Sequence, residues 1–88
     1  MNEAYESALV EYQKALKLAE ETKLLRMHSS ILANTGISNM KLGRYEKGLT
    51  ALKKGQKIDL KLKDEISLAY SKLYIAKIQF LQSKEATI

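Results

Sequence analysis

Three serines and one histidine are the first places to look for nucleophilic or proton-transfer chemistry: Ser29, Ser30, Ser67 and His28, the single histidine of the chain. A serine hydroxyl becomes a nucleophile only when a base stands within hydrogen-bond reach and a third group orients that base. The spacing supplies no histidine and carboxylate arrangement of that kind to any of the three serines. The carboxylates come as sequence neighbours, Glu20-Glu21 and Asp64-Glu65. Adjacent residues point to different sides of a helix, so they make poor acid–base pairs and read most simply as solvated residues at joints. His28 has no Asp, Glu or Cys at ligand spacing, and reads as a helix-surface or packed neutral imidazole. Gly36 and Gly43 belong to no phosphate-cradling pattern. The chain has no cysteine, which removes disulfides, thiolate chemistry and cysteine-based zinc sites together. The expectation is a non-enzyme with no cofactor and no metal.

Charge is the remaining chemical signal. The net charge is +5 and the sequence pI is near 9.5, a balance that favours acidic proteins, nucleic acid or an anionic surface. Lys53, Lys54, Lys57, Lys61 and Lys63 form a dense run, whose simplest reading is a solvated outer face. Nucleic-acid binding calls for arginines or aromatics interleaved with such a face. Arg26 and Arg44 are the only arginines, so nucleic acid is disfavoured as a partner. No apolar run approaches the ~20 residues that cross a bilayer, and no signal segment precedes the first helix, so no membrane partner is expected and a cytoplasmic setting fits.

The elements that position these residues read outward from Leu32–Ile58. Leu32, Gly36, Ile37 and Met40 recur at steps of three and four before Leu42-Gly43-Arg44; Tyr45, Leu49, Leu52 and Ile58 do so after it. Helical periodicity on both sides of a glycine predicts an αα-hairpin with a tight turn. Helices are expected from about Asn2 or Glu3 to Glu20, Lys23 to Leu42, Arg44 to Lys61, and Asp64 to about Gln82. Asn2, Thr22 and Asp64 are the candidate caps, and Ser83 to Ile88 are expected to fray. With no proline and four glycines, the chain is expected to be all-α: about four helices in right-handed, stacked antiparallel hairpins. On the fourth helix, Ile66, Ala69, Leu73, Ala76 and Phe80 share one face, and Tyr70, Tyr74, Lys77 and Leu81 an adjoining one.

The chain also repeats itself. Tyr5-Glu6-Ser7-Ala8-Leu9 lines up with Tyr45-Glu46-Lys47-Gly48-Leu49 at an offset of 40, and Lys14, Lys17 and Lys23 with Lys54, Lys57 and Lys63. Ala8 and Ala15 stand where Gly48 and Gly55 stand; Ala76 and Phe80 stand where Gly36 and Met40 do. A fixed period in this range marks a stacked repeat. Glycine inside a helix costs about 1 kcal/mol relative to alanine. Gly48 and Gly55, seven apart on one face, therefore predict a close approach of a neighbouring helix, with Gly36 as the matching gap.

Gly43-Arg44-Tyr45-Glu46-Lys47-Gly48-Leu49, with Gly55 and Ile58, resembles the second helix of a tetratricopeptide repeat (TPR), and Ala4 to Leu18 does so more closely. Leu32-Ala33-Asn34-Thr35-Gly36 is similar to the family's first helix. The period exceeds the family's usual ~34 residues and is similar to the extended repeats of bacterial sensor and regulator proteins. Asn39 departs from the usual aromatic, glycine twice replaces alanine, and the closing proline is missing. The resemblance implies an α-α superhelix that binds protein or peptide, in which first helices line a concave groove. The matching positions are Ala33, Asn34, Ile37, Met40 and Lys41 on the second helix, and Tyr70, Leu73, Tyr74, Lys77 and Leu81 on the fourth. Asn34 would hold a peptide backbone, while Lys41 and Lys77 would meet an acidic or carboxylate-ended partner. Met40 and Leu73 read equally well as facing another repeat.

Residues 1–88 are thus expected to form a single repeat domain, a segment of a longer array. The alternatives are a self-assembly element and a basic nucleic-acid-binding helical domain. Tyr5, Leu9, Tyr12 and Leu16 at one end, and Leu73, Ile78, Phe80 and Leu81 at the other, read as uncapped apolar faces. They predict a homo-oligomer, most simply a two-fold dimer through a terminal helix.

Overall fold

The computed structural model describes residues 2–87. Four helices account for nearly all of them: α1 (Asn2–Thr22), α2 (Leu25–Lys41), α3 (Tyr45–Leu62) and α4 (Glu65–Ala86), with no strand among the described residues. Each helix runs antiparallel to the next, and the hairpins stack into a slab of 44 × 29 × 15 Å. α2 touches all three other helices, α3 lies between α2 and α4, and α1 packs on α2 alone.

The three junctions share one backbone solution. Lys23, Gly43 and Lys63, spaced twenty residues apart, all take left-handed φ, at 57°, 77° and 54°. At the middle junction the Arg44 amide donates to the Asn39 carbonyl (2.8 Å) and the Gly43 amide to the Met40 carbonyl (3.0 Å). This is a Schellman closure, which satisfies the last carbonyls of the helix. The Asp64 and Lys63 amides do the same to Asp59 (2.9 Å) and Leu60 (3.2 Å), and the Leu24 amide donates to Ala19 (3.2 Å). Only the middle junction spends a glycine on this conformation. The outer two place a lysine there, so no glycine marks them in the sequence.

Capping follows the expectation at one place and departs from it at another. Asp64 caps α4, its Oδ1 accepting from the Ser67 amide at 3.0 Å. Thr22 does not cap α2: it ends α1, and its hydroxyl donates back to the Leu18 carbonyl at 2.8 Å, leaving Leu24 at the α2 start without a side-chain cap. Asn2 is already helical, and the residue preceding it lies outside the described residues. α4 does not fray at Ser83 but continues to Ala86. The Tyr45 hydroxyl donates to Glu85 Oε1 (2.8 Å) and the Gln82 amide to Glu46 Oε1 (2.9 Å), fastening this end to α3.

The core is built where α2, α3 and α4 meet. Leu52 and Ile78 are fully buried, with Ala33, Met40 and Leu49 around them, and Ile37, Tyr45, Tyr74, Ile75 and Leu81 pack on that cluster. A side chain so enclosed contributes roughly 1.5–3 kcal/mol. The expected close approach is present at Gly36 and Gly48. A Cβ at Gly36 would lie 2.6 Å from Leu52 Cγ, and one at Gly48 would lie 3.0 Å from the Gly36 carbonyl oxygen and from Ile78 Cδ1. Gly55 has only ordinary contacts, the nearest at 3.6 Å, so the approach does not extend to it.

The terminal helices are more covered than the sequence suggested. Tyr5, Leu9, Tyr12 and Leu16 are half-buried on the side of α1 that meets α2, and Ile78 belongs to the core. α4 turns Ser71 and Ile78 inward, while Ile66, Leu73 and Phe80 remain exposed on the opposite side.

Candidate functional site

Two groups of polar side chains are assembled by the fold. The first lies inside. Asp59, near the end of α3, is 1% exposed. The Ser29 hydroxyl from α2 donates to its Oδ1, and the Ser67 hydroxyl from α4 donates to the same oxygen at 2.9 Å. Sequence spacing offered Ser29 and Ser67 no activating histidine and carboxylate arrangement, and it did not show that both would share Asp59 as an acceptor. The three residues are 30 and 8 positions apart, a spacing no local pattern can read. Chemically, the arrangement ties three helices to one carboxylate. Both hydroxyls donate to a carboxylate that is itself closed off from solvent, so the cluster serves to hold the helices together. Asp59 Oδ2 is buried without a hydrogen-bond partner. His28 stands outside this cluster, its Nε2 4.0 Å from Glu20 Oε1. Among the described residues no three His, Cys, Asp or Glu side chains gather as a metal site would require.

The second group lies on the side where α2 and α4 approach. Ile37 of α2 and Tyr74 and Leu81 of α4 pack against the same core cluster, which fixes these two helix faces beside each other. Asn34 and Lys41, one turn to either side of Ile37, are exposed. On α4, Tyr70 and Tyr74 sit with ring centroids 5.0 Å apart at 59°, a tilted aromatic pair, and Lys77 Nζ stands 5.7 Å from the Tyr74 centroid. Both contacts come from i, i+4 and i, i+3 helical spacing. The Tyr74 hydroxyl beside it, then partial burial, raises the Tyr70 phenol above its ordinary value. Three residues assigned to this face are placed elsewhere. Ala33 (8% exposed) and Met40 (4%) lie in the core and offer almost nothing to a ligand. Leu73, 63% exposed, belongs to the outer side of α4 with Ile66 and Phe80. The face that remains is Asn34, Ile37, Lys41, Tyr70, Tyr74, Lys77 and Leu81.

Concavities also open away from that face. One of about 460 Å³ lies at the α1–α2 junction, lined by Leu24, Leu25, Met27 and Leu62 with Lys23 and Arg26 at its rim. It is shallow and almost wholly apolar, with few polar groups to orient a ligand. A more polar one of about 230 Å³ runs between α1 and the start of α3, where Arg44 pairs with Glu6 at 2.6 Å beside Asn39. Neither was foreseen. Asn39 gave the one sequence signal, a polar residue where the repeat pattern puts an aromatic. Its side-chain amide donates to the Thr35 carbonyl at 3.0 Å.

No helix among the described residues is long and apolar enough to cross a membrane. Compared with family models, curated proteins and solved structures, the chain matches none.

Proposed function

We propose that the chain is a non-catalytic protein-interaction module of tetratricopeptide-like hairpins, of the kind that serves as a sensing or scaffold part of bacterial regulators in the cytoplasm. Its ligand is an acidic or carboxylate-ended peptide laid across α2 and α4. The supporting observation is the row of exposed Tyr70, half-buried Tyr74 and exposed Lys77, already paired with one another beside the exposed Asn34 and Lys41. Aromatic rings held in place by their neighbours offer apolar contact area at low entropic cost, and the lysines bring the charge that an acidic ligand lacks. Asn34 can both donate to and accept from a peptide backbone. The net charge of +5 points the same way.

The test is affinity for a library of acidic peptides with free carboxyl ends. Replacing Asn34 and Lys77 together by alanine is expected to weaken binding at unchanged helicity, because both side chains are exposed. Raising salt weakens it further, since exposed charges are screened within ~8–10 Å at physiological ionic strength. Equal affinity of wild type and double variant would remove this face from the site.

A further inference from the structure

The 40-residue repeat is written into the backbone, and among the described residues two helix faces lack the neighbour that their counterparts have. Lys23 and Lys63 share the left-handed conformation. The Leu24 amide closes on the Ala19 carbonyl as the Asp64 amide closes on Asp59, and the next bonds, His28 amide to Leu24 and Leu68 amide to Asp64, correspond too. α1 is thus the counterpart of α3, and α2 of α4. α2 receives α3 along Ser29, Leu32, Gly36 and Met40: positions 29 and 32 lie against Gly55, and positions 36 and 40 against Gly48 and Leu52. Forty residues on, α4 carries Ala69, Lys72, Ala76 and Phe80, and all four are exposed, Phe80 at 65%. α1 shows the complementary gap. Ala51 is buried and Ile58 half-buried on α3, but their counterparts Glu11 and Leu18 on α1 are exposed, Leu18 at 57%.

We propose that α4 takes up the α1 helix of a second copy as α2 takes up α3, so that copies of this chain stack head to tail. The charges favour this occupant. α1 holds Glu3, Glu6, Glu11, Glu20 and Glu21 against Lys14 and Lys17, a net −3. α4 holds Lys72, Lys77 and Lys84 against Glu65 and Glu85, a net +1. Lys72 takes the place of Leu32, whose Cβ would lie 3.6 Å from a Cβ at Gly55. The counterpart of Gly55 is Ala15, one turn from Glu11, so Lys72 of one copy meets Glu11 of the next. A two-fold contact of α4 with α4 would gather lysines from both copies instead, and like charges across an interface repel. Ala76 and Ala8 replace the glycine pair Gly36 and Gly48, so these helices stand wider apart, and Phe80 replaces the smaller Met40 to fill the added width. A head-to-tail contact is heterologous and leaves one face of each copy free after a dimer forms, so association continues past two copies, into a ring or an open stack. The inference rests on the repeat and not on the peptide groove.

Sedimentation velocity from micromolar to millimolar concentration tests it, with circular dichroism to confirm that Lys72→Glu and Glu11→Lys, both at exposed positions, remain folded. Wild type is expected to grow beyond a dimer as concentration rises. Each variant alone is expected to associate several-fold more weakly, because each sets like charges against each other. An equimolar mixture of the two restores opposite charges at every junction and regains association. A wild type that stays monomeric throughout overturns the proposal. So does association that Lys72→Glu abolishes and Glu11→Lys leaves untouched, which is the signature of an α4–α4 dimer.

Discussion

α2 and α4 hold the same place in the repeat and differ in what covers them. α2 is enclosed by α1, α3 and α4, and eight of its residues are buried; α4, the longer helix, buries only Ser71 and Ile78. Their sequences reflect the difference position by position. Leu32, Gly36 and Met40, which receive α3, become Lys72, Ala76 and Phe80, which receive no helix among the described residues. The apolar spacing persists, while the glycine that permits close approach is lost and a lysine enters the strip. A repeat pattern therefore specifies which face is able to pack, and the neighbour decides whether that face becomes core.

The sharpest way to break this comparison is to truncate the same repeat position on both helices. Met40→Ala, at a site 4% exposed in the core, is expected to cost about 2–5 kcal/mol. Phe80→Ala removes a larger side chain from a 65% exposed site and is expected to stay within about 0.5 kcal/mol of wild type. Urea unfolding at low protein concentration, where self-association is minimal, measures both. Equal losses would mean that α4 is covered in solution much as α2 is.

A smaller effect separates the glycines. Gly36→Ala is expected to destabilise by about 1–3 kcal/mol, because its Cβ would run into Leu52 Cγ at 2.6 Å in a fully buried position. Gly55→Ala meets only contacts of 3.6 Å or more and is expected to stabilise by up to about 1 kcal/mol through helix propensity alone. Thermal unfolding of the two variants would show shifts of opposite sign. The same sign for both would contradict the reading of Gly36 as a close-approach site.

Much of the fold was legible because it depends on local spacing. The 3.6-residue rhythm, the turn at Gly43 and the 40-residue echo located four helices, and Asp64 was recognisable as a cap from residue type and place. The departures came from information that local spacing does not hold. Ser29, Asp59 and Ser67 meet only after three helices are stacked. α4 is apolar on two opposite sides, so periodicity found Ile66, Leu73 and Phe80 without showing that Ile78 would be the residue turned inward. Of the residues proposed for a groove, Asn34, Lys41, Tyr70 and Lys77 are exposed. Ala33 and Met40 are buried, because a residue one or three positions from an exposed one can lie wholly in the core.

The smallest effect concerns the junctions that introduce α2 and α4. Lys23 and Lys63 occupy the left-handed region that Gly43 occupies without a Cβ penalty. Lys63→Gly is expected to stabilise by up to about 1 kcal/mol, the side-chain strain relieved being offset in part by the added freedom of the unfolded chain. A clear loss of stability in denaturant unfolding would mean that the Lys63 side chain contributes more than its backbone costs.

The central functional claim is that α2 and α4 present one binding face, and amide and side-chain chemical-shift mapping during titration with an acidic, carboxylate-ended peptide tests it most directly. Shifts concentrated at Asn34, Ile37, Lys41, Tyr70, Tyr74 and Lys77, saturating together and weakening with salt, are the predicted result. Shifts confined to the apolar concavity at Leu24, Leu25 and Met27, or none at saturating peptide, would contradict it.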